Sequence, residues 1–179
     1  MSLVSTNWLE KNLSKVRIID ASWHMPNSRR NAYEEYLKTH IENTVFFDLD
    51  KNSDEKSSLP HMLPNAEKWG KIVSDFGIKN SDHIVIYDNS DTISSCRCWY
   101  SFIYFGHDFK KVSVLNGGLK KWLEEKKPVT DKMMRFDKTE YAVIENKSLV
   151  KNKEQIKKNI ISNQFELVDA RSEQRFKGL

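Results

Sequence analysis

The sequence predicts an α/β fold, a mostly parallel sheet with helices on both faces. Three observations predict it. Short apolar runs alternate with segments whose apolar residues recur at helical spacing, the pattern of a sheet wound between two helical layers. The run His83-Ile84-Val85-Ile86-Tyr87 is almost continuously apolar, as expected of a strand covered on both faces. The opening Val16-Arg17-Ile18-Ile19-Asp20-Ala21-Ser22 has a near-copy, Leu167-Val168-Asp169-Ala170-Arg171, about 150 residues later, a spacing that suits two copies of one domain.

The elements follow in order. Ser5 or Thr6 caps a helix over residues 8–13, and residues 16–21 make a buried-type strand. A short amphipathic helix spans 30–38 and a second strand 44–48. Residues 51–64 are polar, hold Pro60 and Pro64, and read as a loop. Asn65 caps a helix with Trp69, Ile72, Val73 and Phe76 at helical spacing, and Gly77 ends it. The strand over 83–87 gives way to a polar loop, 88–94. A helix follows, bearing Trp99, Phe102, Ile103 and Phe105 and closed by Gly106. A fourth strand spans 112–115, and Asn116-Gly117-Gly118 turns the chain into a helix over 119–125. Residues 128–145 are weakly patterned. Residues 151–161 form a Lys-rich helix, and 166–170 a further strand. The expected organisation is a first domain over 1–127, a linker over 128–145, and the start of a second domain over 146–179, cut off after one strand.

At 179 residues and 21.0 kDa the chain can bury one core of ordinary domain size. Its 39% hydrophobic and 11% aromatic content excludes a wholly disordered chain. The net charge of +4 is scattered, with one cluster between Lys147 and Lys158. No aromatic residues interleave those lysines, so they read as a solvated surface and no nucleic-acid partner is expected. No apolar run approaches the ~20 residues of a membrane span. Met1-Ser2-Leu3-Val4-Ser5 runs straight into a helix signal without an apolar leader core, so a cytoplasmic, reduced protein is expected. Cys96 and Cys98 are the only cysteines. Their spacing on a helix turns them apart and disfavours a disulfide. Both are expected to pack into the helix, with Cys96, nearer its start, open to mild activation. Two cysteines and scattered histidines make no zinc site, and no cofactor is expected.

In an open parallel sheet, ligands sit at the carboxyl ends of the strands. Four stretches fall there: Asp20 to His24, Asp48-Leu49-Asp50, Asp88 to Arg97, and Asn116-Gly117-Gly118. Asp20 is expected to make an Asx-turn or cap, and the two glycines a tight turn. The loop from Asp88 lies between a buried strand and a helix start. Such a loop can aim backbone N–H groups at an anion. It begins here with the Asp88 carboxylate, which repels an anion and is no thiol nucleophile. His61 lies in the Pro-flanked loop Leu59-Pro60-His61-Met62-Leu63-Pro64. It is either simply exposed or a proton shuttle hydrogen-bonded to Asp50.

Several motifs together resemble the rhodanese family of sulfurtransferases. Tyr36-x-x-x-His40-Ile41 and Val45-Phe46-Phe47-Asp48-Leu49-Asp50 are similar to its opening signature, although Glu42-Asn43-Thr44 replace the usual Pro-Gly-Ala. The motifs His61-Met62-Leu63-Pro64, Val85-Ile86-Tyr87-Asp88, Arg97-x-Trp99, Phe105-Gly106-His107 and Val114-Leu115-Asn116-Gly117-Gly118-Leu119-x-x-Trp122 continue the match over residues 5–125. Val168-Asp169-Ala170-Arg171 with Arg175-Phe176-x-Gly178 resembles the start of the family's second repeat. The resemblance is to the N-terminal half of two-domain thiosulfate or 3-mercaptopyruvate sulfurtransferases. It implies transfer of sulfane sulfur from a small anionic donor, through a cysteine persulfide, to cyanide, a thiol or thioredoxin.

In that family the cysteine opens the loop of the second repeat. Asp88 stands at the equivalent position here, so the first domain is expected to be non-catalytic, with the nucleophile beyond Leu179. Asp50 and His61 match a supporting relay of the mercaptopyruvate branch, and Arg175 an arginine that grips the substrate carboxylate, a task that suits its planar fork. Arg97 is expected to be structural. A monomer is expected, with no membrane partner. The competing reading is an inactive, stand-alone rhodanese-like binding module. A phosphatase on this fold needs an arginine six residues after its cysteine, and neither cysteine has one.

Overall fold

A computed structural model describes residues 2–179. They form two compact units, the first ending at Asn146 and the second running from Lys147 to Leu179.

The first unit is built on five strands: β1 (Leu3–Val4), β2 (Arg17–Asp20), β3 (Thr44–Phe46), β4 (Ile84–Tyr87) and β5 (Val112–Leu115). They form one sheet in the order β1-β5-β4-β2-β3, and every pair is parallel. The connecting helices are α1 (Thr6–Glu10), α2 (Ala32–Lys38), α3 (Ala66–Asp75), α4 (Ser95–Tyr104) and α5 (Gly118–Glu124). Strand side chains alternate between faces. Ile19, Ile84 and Ile86 therefore pack with Trp69, Phe102 and Phe105 of the α3–α4 side. Ile18, Val85 and Tyr87 pack with Leu9 and Trp122 on the α1–α5 side. All four residues of β4 are buried, which is why its sequence shows no polar alternation. Ser5, Asn31 and Asn65 each turn a side-chain oxygen onto a first-turn amide of α1, α2 and α3.

The boundaries differ from the sequence reading in places. The first helix starts at Thr6 and is shorter than expected, and the second starts at Ala32 rather than Arg30. Strand β1 was not expected. Two residues carry no periodicity, and Leu3 and Val4 become a strand only because Val114 and Leu115 of β5 offer them a parallel edge. Residues 128–146 hold no helix, yet they belong to the first unit and pack on its other elements. Thr130 bridges to His40, the Thr139 amide donates to the Ser74 carbonyl at 3.1 Å, and the Ile144 amide to Phe105 O at 3.2 Å. Tyr141 is buried, with its hydroxyl 3.0 Å from Nδ1 of His107. Gly106 makes the approach possible, because a Cβ there would sit 2.6 Å from the Ile144 carbonyl oxygen.

The second unit carries α6 (Lys153–Ser162) and α7 (Glu173–Phe176). Asn152 and Gln155 form a reciprocal capping box at the start of α6. After α6 the chain turns back, with both ends of the Asn159 amide bonded to the Phe165 backbone at 2.7 and 2.9 Å. The strand expected over 166–170 is not formed. The segment is exposed and unpaired, because a strand needs a neighbour to take its backbone groups and nothing in this unit supplies one. Among the described residues no helix is long and apolar enough to cross a membrane.

Candidate functional site

The four loops singled out in the sequence follow β2, β3, β4 and β5 at one edge of the sheet, but their chemistry differs. Asp20 points into the interior. Burial raises its carboxyl from the usual range to about 6, and it accepts the Ser22 amide at 2.9 Å in an Asx-turn. It is a structural group. His24, four residues on, is tied to Glu35 at 3.1 Å with its side chain buried, and Glu35 is in turn gripped by Arg30 at 2.6 and 2.7 Å. The guanidinium holds the Glu35 carboxyl below its usual range.

Asp50 and His61 come together. Nε2 of His61 lies 2.7 Å from Oδ1 of Asp50. The Asp50 side chain is 66% exposed and that of His61 28%, so the pair faces solvent yet keeps a fixed contact. Two further residues contact it. The indole Nε1–H of Trp23 reaches both oxygens of Asp50 at 3.2 Å, and its ring stands edge-on to the imidazole, 4.9 Å between centroids. The Arg97 guanidinium donates to the His61 carbonyl at 2.6 Å. His61 has φ +56°, a left-handed backbone that costs a non-glycine residue about 1–2 kcal/mol. Arg97 clamps the carbonyl of that residue and so helps hold it in the left-handed conformation. An Asp accepting from Nε2 fixes the Nε2–H tautomer and leaves Nδ1 with a free lone pair. The arrangement can pass a proton. Asp50 also borders a cleft of about 240 Å³ shared with Trp23, Arg30, Tyr33 and Phe46.

The loop after β4 is closed on itself. Asp88 accepts the Ser90 amide at 3.2 Å through Oδ1 and the Ser95 amide at 2.6 Å through Oδ2. Its own carboxylate thus fills the place an anion would take. Its carbonyl accepts the Leu119 amide at 3.0 Å. That contact requires Gly118, where a Cβ would lie 2.4 Å from the same oxygen and φ is +56°.

Cys98 is buried, and burial pushes its thiol far above the ordinary range. Cys96, expected to pack inside the helix, is exposed instead. Partial desolvation and the Asp88 charge raise its pKa too, so the mild activation considered for it is absent. Among the described residues no cluster of His, Cys, Asp and Glu is arranged to hold a metal ion.

Arg175 lies on α7 in the second unit and is exposed; its amide donates to the capping hydroxyl of Ser172. Sequence reasoning missed Trp23, although it stands inside the first candidate stretch. Its partners are 27 and 38 residues away, and no local pattern announces them. Arg97, expected from the sequence to be structural, stands beside the pair through its contact with the His61 carbonyl.

A parallel sheet covered on both faces, with its loops gathered beyond the carboxyl ends of the strands, is the frame of an α/β domain that binds at that edge. Residues 5–125 match the rhodanese-like domain, and the chain belongs to that family. It is 38% identical to thiosulfate sulfurtransferase of Rattus norvegicus, across 99% of this chain and 61% of the relative. It is 36% identical to 3-mercaptopyruvate sulfurtransferase of Homo sapiens, across 99% of this chain and 62% of the relative. The chain thus spans about three fifths of the length of these curated relatives. Among solved structures it is similar to the 3-mercaptopyruvate sulfotransferase SseA of Escherichia coli, with TM-score 0.91 and 30% identity over 98% of this chain and 68% of that one. It also resembles the Tum1 protein of Saccharomyces cerevisiae, with TM-score 0.88 and 28% identity over 99% of this chain and 63% of that one.

Proposed function

We propose that this chain is the supporting part of a sulfurtransferase. It would serve transfer of sulfane sulfur from 3-mercaptopyruvate or thiosulfate through a persulfide on a cysteine outside these 179 residues. The Asp50–His61 hydrogen bond carries the reading. When a thiolate attacks the sulfur of 3-mercaptopyruvate, the S–S bond forms and the C–S bond breaks. The electron pair passes to carbon 3 of the leaving enolate, which needs a proton to become pyruvate. Thiosulfate releases sulfite, which leaves without that proton. A proton relay therefore suits the mercaptopyruvate donor. Arg175 would hold the donor's carboxylate. The final acceptor is cyanide or a thiol, thioredoxin included. The state of the two thiols supports an external nucleophile, since Cys98 is buried and the pKa values of both are raised.

The test is sulfur transfer from both donors. The 179-residue chain is expected to show none above background, and turnover that Cys96→Ser abolishes would overturn the reading. In a longer form that carries a cysteine in the second repeat's loop, Asp50→Ala and His61→Ala should each lower kcat with 3-mercaptopyruvate about 100-fold or more, the usual scale of a lost acid–base group. The loss with thiosulfate should be much smaller.

A further inference from the structure

The loop after β4 carries no nucleophile, but its serines are committed to a task. Ser94 occupies the N-cap position of α4 and yet does not cap it. Its hydroxyl donates to the Ala21 carbonyl at 2.7 Å, and its oxygen lies 2.7 Å from that of Ser90. With the Ser94 hydrogen engaged at Ala21, Ser90 is the donor of that pair. The two serine oxygens then receive the Trp23 backbone amide, at 2.8 Å from Ser90 and 3.1 Å from Ser94. Asp88 takes over the helix end by accepting the Ser95 amide. On the other side, the Ser22 hydroxyl oxygen accepts the Asn89 amide at 2.8 Å. The loop is thus stitched to residues 20–23, and the stitches converge on the backbone of Trp23.

From this geometry we infer that Trp23 is a positioning residue for the Asp50–His61 pair, and that the cysteine-free loop after β4 is the buttress that aims it. The indole N–H straddles the two carboxylate oxygens, so it opposes rotation of Asp50 about its terminal bond. Asp50 is largely exposed, and the imidazole contact anchors only one of its two oxygens. A hydrogen bond to a carboxylate is charge-assisted, and one shared between both oxygens favours the orientation that keeps them equidistant from the donor. The edge-on imidazole closes the triangle. With Asp50 fixed, its Oδ1 faces His61 and the Nε2–H tautomer persists.

This inference rests on the relay reading of Asp50 and His61, and its test reads the pair's geometry rather than turnover. Nitrogen-15 chemical shifts of the His61 ring, in the 179-residue chain, report which nitrogen carries the proton. Wild type should show the Nε2–H form, and Trp23→Phe, which keeps a ring but loses the N–H, should lose that preference. Ser90→Ala combined with Ser94→Ala should loosen it in the same direction while leaving both side chains of the pair in place. Asp50→Ala gives a second measurement that disturbs only an exposed side chain. Of the five tryptophan indole N–H signals, it should move that of Trp23 alone. An unchanged His61 tautomer in Trp23→Phe, or an unmoved Trp23 indole signal in Asp50→Ala, overturns the inference. If Asp50→Ala keeps full mercaptopyruvate turnover in the longer form, the relay fails in a different assay, and the two failures stay distinct.

Discussion

Asp20 and Asp169 end the same phrase, an apolar run followed by Asp-Ala, in two regions of one chain. The local geometry they adopt is also the same. Each carboxylate accepts the amide two residues on, Ser22 at 2.9 Å and Arg171 at 3.0 Å. Their surroundings are opposite. Asp20 ends a strand flanked by β3 and β4, and burial raises its carboxyl to about 6. Asp169 follows an unpaired, exposed segment, and the Arg171 guanidinium lowers its carboxyl to about 2. The difference separates what a sequence encodes locally from what only neighbours confer. The Asx-turn is local chemistry and forms in both places. The strand, the burial and the shifted acidity need a sheet, and only the first region has one.

The largest effect that sharpens this contrast comes from the residue before each aspartate. Ile19 is fully buried, whereas Val168 is 87% exposed. Ile19→Ala removes methyl groups from a packed interior and should cost about 3–4 kcal/mol. Val168→Ala should stay within about 0.5 kcal/mol. Urea unfolding followed by far-ultraviolet circular dichroism, which sees the helices of both units, measures both. Equal losses would mean that 166–170 is packed and that the contrast is false.

Glycines give the next largest difference. Gly118→Ala places a methyl group against the Asp88 carbonyl oxygen, 2.4 Å away, at a positive φ. The overlap and the left-handed backbone together should cost roughly 3 kcal/mol. Gly178 also has positive φ, +77°, but nothing lies within 4 Å of its would-be Cβ. Gly178→Ala should therefore carry only the backbone term, about 1 kcal/mol. That cost would stay confined to the end of α7, leaving the first unit's melting temperature unchanged in calorimetry.

The same division explains how much was legible in the sequence. The central strand β4 and the helix spacing of Trp69, Ile72, Val73 and Phe76 were readable because burial on two faces, or on one helical face, imprints a period. The parallel sheet followed from the alternation of such segments. Strand β1 was not readable, since two residues have no period and its partner lies more than 100 positions away. The strand expected over 166–170 had the local pattern without the neighbours, so the pattern alone misled. The site divides in the same way. Asp50 and His61 were reached through a Pro-flanked loop and a family resemblance. Trp23 and Arg97 act through an indole N–H and a guanidinium that meet distant partners, and only folding reveals those meetings. Cys96 looked buried because its neighbours in the helix are; its outward angle became visible in the structure.

A smaller effect follows from the acidity of Asp20. Its folded-state pKa, about 6, lies above the unfolded value of 3.8. Protonated Asp20 is therefore favoured by folding. That contribution is fully present below pH ~4 and is lost as pH rises through about 6. The two-unit shift is worth about 2–3 kcal/mol. Asp20→Asn cannot ionise, and its side-chain oxygen can still accept the Ser22 amide. Relative to wild type, the variant should gain about 2–3 kcal/mol between pH 4 and pH 7. Unfolding curves across that range test it, and a parallel pair of pH–stability profiles would show that the burial of Asp20 does not set its acidity.

The smallest effect belongs to Asp169, and it tests the comparison most directly. Its carboxyl is depressed, so any contribution it makes is present above the unfolded pKa and is lost only as pH falls toward about 2. It is solvent-facing, and its ion pair with Arg171 is of the kind that adds little to stability. Asp169→Asn should therefore leave unfolding within experimental error at neutral pH. The two carboxyls can instead be watched through the amides they hold. The Ser22 amide proton should shift with a midpoint near pH 6, following Asp20. The Arg171 amide proton should stay flat from pH 8 down to pH 4, because Asp169 remains ionised throughout. Two amides moving together near pH 4 would mean that both turns titrate as isolated aspartates do, and that the sheet contributes nothing to the first. Separate behaviour would show one local motif tuned in opposite directions, by burial in one place and by a neighbouring guanidinium in the other.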